Sequence, residues 1–194
     1  PDKDSKDLFA EAFSEMLASV DKGFDPADIQ AAWIGNFSND FFVHQAHWGP
    51  IIADLTGIVP RAVTRTEGAC ASSTLAMRDG LMAIASGMYD IVLAGGVEEM
   101  SKCTTEEVTE GLALATSPYE GEAGYTFPGV FGALATAYFH KYGAGREHLM
   151  NITIKSHENA PLNPKGQFKQ TIRDLMEARK AKAAKKGEPV PDWA

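Results

Sequence analysis

Leu8, Phe9, Phe13, Met16 and Leu17 recur at helical intervals between Asp4 and Val20, which predicts an amphipathic helix with one buried stripe, ended by Gly23. Asp25-Pro26-Ala27-Asp28 is a helix start, with Asp25 able to cap open amides and Pro26 suited to the first turn, and the helix it begins is short. Ala31 to Gly35 is a brief apolar run between turn residues and is expected as a buried strand. A loop over 36–40 leads to a predicted helix from His44 to Leu55, closed by Thr56-Gly57. A strand from Ala62 to Glu67 follows Pro60, a helix begins just after Cys70 and runs to about Ser86 with Gly87 beyond it, and a second buried strand covers Ile91 to Ala94, closed by Gly95-Gly96.

Strand, tight turn, helix and strand in that order make a βαβ unit, so the fold class is α/β with an at least partly parallel sheet covered by helices. Met100 to Thr126 shifts to Glu, Thr, Ser and Gly and is expected as a long surface excursion. Helical spacing returns at Val130 to Tyr142 and at Arg146 to Asn159; Asn163-Pro164-Lys165-Gly166 is a turn, and Thr171 to Gly187 is helical by propensity. That last helix gathers Arg173, Arg179, Lys180, Lys182, Lys185 and Lys186. A solvated face is the usual meaning of such a run; a phosphate-contacting patch is the functional one.

Composition narrows the class. The 194 residues can bury one sizeable core, and a formal net charge of −8 opposes nucleic-acid binding, which needs surplus Lys and Arg against phosphates. No apolar run is long enough for a membrane span, and Pro1-Asp2-Lys3-Asp4 has no signal core, so a cytoplasmic protein is expected. The first residue is not Met, and Pro189-Val190-Pro191-Asp192-Trp193-Ala194 forms no evident stop, so a segment of a longer polypeptide is expected. Cys70 and Cys103 are the two cysteines, without CxxC spacing or paired His, so neither a disulfide framework nor a metal site is suggested.

Glu67-Gly68-Ala69-Cys70-Ala71-Ser72-Ser73 is the chemical candidate. A strand running through small residues into a helix presents one side chain at the strand's carboxyl end, as in a nucleophile elbow with sulfur in place of oxygen. A thiolate is the attacking species, and a helix N-terminus favours it. The open amides there can also donate to a thioester oxygen as it gains charge, a contribution of roughly 3 kcal/mol per donor. A buried, inert thiol is the alternative for Cys70. Cys103, in polar sequence, is structural or adventitious.

Three blocks in order, Glu67 to Ser73, Ala83-Ile84-Ala85-Ser86-Gly87 and Ala94-Gly95-Gly96-Val97-Glu98-Glu99-Met100-Ser101, closely resemble the thiolase superfamily, nearest its sterol-carrier-protein-type and archaeal acetyl-CoA acetyltransferase branch. Phe127-Pro128-Gly129-Val130-Phe131-Gly132 and the stretch Lys155 to Pro164 are similar to the same branch, and the likeness runs from about Asp7 to Phe168. The resemblance implies that Cys70 takes an acyl group from a 3-ketoacyl-CoA and passes it to coenzyme A, or catalyses the reverse Claisen condensation, with the Cys70 amide as one oxyanion donor and Gly95-Gly96 as a structural turn near the site.

It further implies a layered α/β/α/β/α enzyme of two similar halves, of which residues 1–100 are the N-terminal core, incomplete at its start, and 101–194 part of a loop domain covering CoA, incomplete at its end. Acyl-CoA is then substrate, with no tightly bound cofactor and no metal, in lipid metabolism. A homodimer or tetramer and an OB-fold zinc-ribbon partner belong to the same expectation, without nucleic acid or membrane. The CoA-contacting residues and the acyl specificity are not readable; Phe41, Phe42 and Trp48 can add bulk to an acyl pocket, although such aromatics are more often core.

The branch's Gly-His-Pro and Cys-x-Gly motifs do not occur, and His44, His47, His140, His148 and His157 lack that context. The expectation is a chain that can be acylated at Cys70 without turning over alone. A longer enzyme, halves on separate subunits, or a noncatalytic relative each fit; a ketoacyl- or hydroxymethylglutaryl-CoA-synthase-like enzyme is the alternative within catalysis.

Overall fold

The computed structural model describes residues 2–189; Pro1 and the final stretch 190–194, where part of the expected open end falls, lie outside them. The chain divides into two compact units, Pro1–Val130 and Phe131–Ala194.

In the first unit, helix α1 (Ser5–Ala18) starts on a reciprocal cap. The Asp4 carboxylate accepts the Lys6 and Asp7 amides at 2.8 and 2.9 Å, and Asp7 returns an acceptor to the Asp4 amide. The buried stripe is narrower than its spacing predicts. Phe9 and Phe13 are buried and Met16 and Leu17 pack partly against the core, but Leu8 is exposed. Asp25 caps only a 3₁₀ turn, Pro26–Asp28.

Strand β1 (Ala31–Gly35) is central, and strand β2 (Ala62–Thr66) and strand β3 (Val92–Gly96) flank it in the order β2-β1-β3, all pairings parallel. β1 is buried along nearly its whole length. β3 departs from expectation twice. Gly95 and Gly96 continue the ladder, with Gly96 opposite Gly35, instead of turning the chain. And because β3 is an outer strand, Leu93 is its only buried residue.

Between β1 and β2 lie helix α2 (Asn39–Phe42), which begins inside the loop expected over 36–40, and helix α3 (Trp48–Thr56). α3 starts four residues later than predicted because His44 and His47 take left-handed backbone, φ 52° and 64°, which no α-helix accepts. Gly57, at φ 72°, closes it as expected. α3 rests so tightly on β2 that a Cβ on Gly49 would strike the Val63 carbonyl. Helix α4 (Ser72–Ala85) packs Ala76 and Gly80 toward the sheet and leaves Met77 and Leu81 exposed. Phe9, Phe13, Ile29, Ala32, Ile34, Trp48, Ile52, Ala53, Ile58 and Leu93 form the core.

The expected surface excursion holds two helices, α5 (Thr105–Ala113) and α6 (Pro118–Glu122). Each begins on a capping box, Thr104 with Glu107 and Ser117 with Glu120, so local cap chemistry makes helix where apolar periodicity is weak. α5 is held close to α2, since a Cβ on Gly111 would meet the Phe42 ring.

The second unit comprises most of helix α7 (Phe127–Tyr142), whose first turn belongs to the first unit, then helix α8 (Arg146–Asn159) and helix α9 (Ile172–Lys186). Thr171 caps α9 with Asp174, and Gly187 closes it at φ 69°. The basic residues of α9 are partly paired: Arg173 reaches Glu158, Lys180 reaches Glu177 and Lys186 reaches Glu188. No described helix is long and apolar enough to cross a membrane.

Candidate functional site

The three parallel strands end on the same side, and the chain leaving each of them meets there. From β2, Gly68 and Ala69 turn the backbone through a 3₁₀ segment, Ala69–Ala71, into α4. Ala69 is left-handed at φ 48°, a conformation that disfavours any side chain. Two side chains hold it there. Glu67 accepts the Ala69 amide at 2.6 Å, and the buried Ser72 hydroxyl accepts the Gly68 amide at 3.0 Å while donating to the Ala69 carbonyl at 2.7 Å.

Cys70 stands on this turn, exposed, in the wall of a cavity of about 270 Å³. Ala69, Ser72 and Ser73 continue that wall from the turn, Asn36 and Phe37 supply it from the chain after β1, and Gly96, Val97 and Glu98 supply it from the end of β3. Ala71, at the N-cap of α4, gives no side-chain cap to the helix's first amides. The close approach needs glycine at two places. A Cβ on Gly35 would run into the Ser72–Ser73 peptide, and one on Gly96 into the Ser73 side chain and the Gly35 carbonyl.

Behind the cavity lies a buried polar network. Asn36 donates to the Val97 carbonyl at 2.7 Å, Asn39 accepts the Glu99 amide at 3.1 Å, and Asn39 donates to the Ser5 hydroxyl at 3.1 Å. Glu99 accepts both the amide and the hydroxyl of Ser5, at 2.7 and 2.8 Å, and pairs with Lys102 at 2.9 Å. Burial pushes the Glu99 carboxyl up, but the hydrogen bonds from Lys102 and Ser5 outweigh it and leave the group below the usual carboxylate range. Glu98 goes the other way. Burial dominates over the bonds it receives from Phe37 and Ser38 and holds its carboxyl above that range.

Cys103 is set apart from this cavity. Its thiol donates to the Phe42 carbonyl at 3.2 Å, and burial, with Glu107 and Glu99 nearby, pushes its pKa up. Of the aromatics named from sequence, Trp48 is core, whereas Phe42 is buried and also reaches the cavity wall. His44, His47, His140 and His148 are exposed, and His157 packs edge-on against Phe168 at 4.9 Å. Sequence reading passed over Arg65, Asn36, Phe37 and Glu98 as site residues. The signal for Glu98 lies in the Gly-Gly-Val-Glu-Glu block, two residues beyond the Gly95-Gly96 pair that reads as a turn.

Residues 1–188 match the family described as Thiolase, N-terminal domain. Among curated relatives, the chain is 40% identical to an acetyl-CoA acetyltransferase of Methanothermobacter thermautotrophicus, over 88% of the chain and 44% of that protein. It is 37% identical to an acetyl-CoA acetyltransferase of Methanocaldococcus jannaschii, over 79% of the chain and 40% of the relative. With sterol carrier protein 2 of Gallus gallus it shares 25% identity over 91% of the chain and 33% of the relative. The chain spans less than half the length of these curated relatives.

Proposed function

This chain belongs to the thiolase family through its N-terminal domain, and from that premise we propose that it is the nucleophile-bearing part of an acyl-CoA C-acyltransferase. The observation that carries the proposal is the exposed Cys70, held on a left-handed strand-to-helix turn in the wall of a cavity built from the exits of all three strands.

In thiolysis the Cys70 thiolate attacks the 3-keto carbon of a 3-ketoacyl-CoA, the bond between C2 and C3 breaks, and the departing enolate takes a proton to become acetyl-CoA. Coenzyme A sulfur then attacks the acyl-enzyme carbonyl, and Cys70 leaves as thiolate. Both additions create an oxyanion, for which the Cys70 amide is a donor, because it lies where the turn opens into α4. Cys70 is exposed at the start of α4, while the half-buried, acid-flanked Cys103 is disfavoured as a thiolate. Acyl-CoA is substrate throughout. The proton transfers need a general base that the resemblance locates in a motif these residues do not include, so acylation, rather than turnover, is the activity assigned to them.

Mass mapping of the chain after exposure to acetyl-CoA tests this. The acetyl group is expected on Cys70 and not on Cys103, with loss in Cys70→Ala, and iodoacetamide should modify Cys70 roughly tenfold faster than Cys103. Equal modification of both thiols, or acetylation that survives in Cys70→Ala, would overturn the assignment.

A further inference from the structure

The Gly95-Gly96-Val97-Glu98-Glu99 block carries a carboxylate, Glu98, that no step above uses. Its two oxygens are both engaged by one short loop. Oε2 accepts the Phe37 amide at 2.7 Å, and Oε1 accepts the Ser38 amide at 3.2 Å with the Asn36 side-chain amide at 3.4 Å. Arg65, on β2, takes the same loop from the carbonyl side. Its Nε donates to the Asn36 carbonyl at 3.2 Å, and its Nη2 donates to the Phe37 carbonyl at 2.5 Å and to Asp40 at 2.7 Å.

The loop 36–38 is therefore gripped through its amides by an anion from the end of β3 and through its carbonyls by a cation from β2. It is also part of the cavity wall, since Asn36 and Phe37 line the space that Cys70 lines. Stability alone accounts poorly for Glu98. Burial raises its carboxyl above the ordinary value, so its contribution to stability is present below that ordinary value and is lost as pH rises through the folded one. In its ionised form the group makes charge-assisted bonds to the loop.

We propose that Glu98 and Arg65 are positioning residues that lock the 36–38 loop as the cavity wall beside Cys70 and thereby limit the size of acyl group that reaches the sulfur. The cavity of about 270 Å³ is walled on one side by this loop and on another by Cys70. This rests on Cys70 being the acyl acceptor.

The test compares Cys70 acylation by acetyl-CoA and by hexanoyl-CoA in the native chain, in Glu98→Gln and in Arg65→Lys, each confirmed folded by circular dichroism. Gln keeps the shape but turns an amide NH₂ toward a backbone donor, and Lys keeps the charge but loses the fork. The native chain should favour the acetyl donor, and each variant should raise the hexanoyl-to-acetyl rate ratio roughly fivefold, the scale of one lost hydrogen bond. If one variant does not fold, the other carries the measurement. An unchanged ratio in a folded variant overturns the clamp alone, with Cys70 acylation intact. Native Cys70 acylated no faster than Cys103 overturns the acyl-acceptor assignment and the clamp with it.

Discussion

Capping boxes start helices in both units of this chain, but the units differ in what lies beneath those helices. All ten core residues fall within the first unit, where sheet, α1 and α3 close over Ile34, Trp48 and Ile52. In the second unit Ala183 is the one described residue that is buried, while Phe131, Leu134, Tyr138, Met150 and Ile152 are more than half exposed. Capping boxes therefore suffice to start a helix, but a packed face decides how firmly it is held. The candidate chemistry lies entirely in the unit with the core, on the turns that leave its packed strands.

The largest test of that contrast is truncation of one apolar side chain in each unit. Trp48→Ala removes a side chain that is 1% exposed and should lower stability by about 3–5 kcal/mol in urea denaturation. Leu134→Ala, at 59% exposure, should stay within about 0.5 kcal/mol. Similar losses at both positions would erase the distinction.

A smaller effect should change sign between the units. Gly96→Ala forces a methyl against Ser73 and the Gly35 carbonyl and should destabilise by about 1–3 kcal/mol while slowing Cys70 alkylation. Gly132→Ala, inside α7 with nothing within 4 Å of the added carbon, should stabilise by about 0.5–1 kcal/mol. Thermal midpoints of the two variants moving in the same direction would count against the contrast.

The smallest concerns the cap of α9. Thr171→Ala should cost about 1 kcal/mol of local helix stability, read by hydrogen exchange in 172–186, with Cys70 labelling unaltered. Asp174 sharpens it, because hydrogen bonds from the Thr171 amide and hydroxyl hold its carboxyl below the usual range. Its contribution is present above the ordinary carboxylate value and lost as pH falls through the lowered one, so exchange in α9 should quicken there.

Much of this fold was legible because its ends carry local signals. β1 and α8 have the predicted limits, and α9 lies inside the predicted span Thr171 to Gly187. The turn from strand to helix at Cys70 was equally readable, since small residues and the start of α4 are sequence-local. What escaped depends on backbone angles or on distant partners. Nothing in the composition of 44–47 announces two left-handed histidines, and a Gly pair reads as a turn until β1 supplies the neighbouring strand. Glu98 and Phe37 are 61 residues apart, so their bond appears only when β1 and β3 lie side by side.

Ala69 carries a consequence of its own. An L-residue held left-handed returns to ordinary backbone as soon as its restraints weaken, and here the restraints are Glu67 and Ser72. The thiol next to it is therefore set like a catch under spring tension: loosening either neighbour should turn the sulfur out of place, although no atom of Cys70 has been altered.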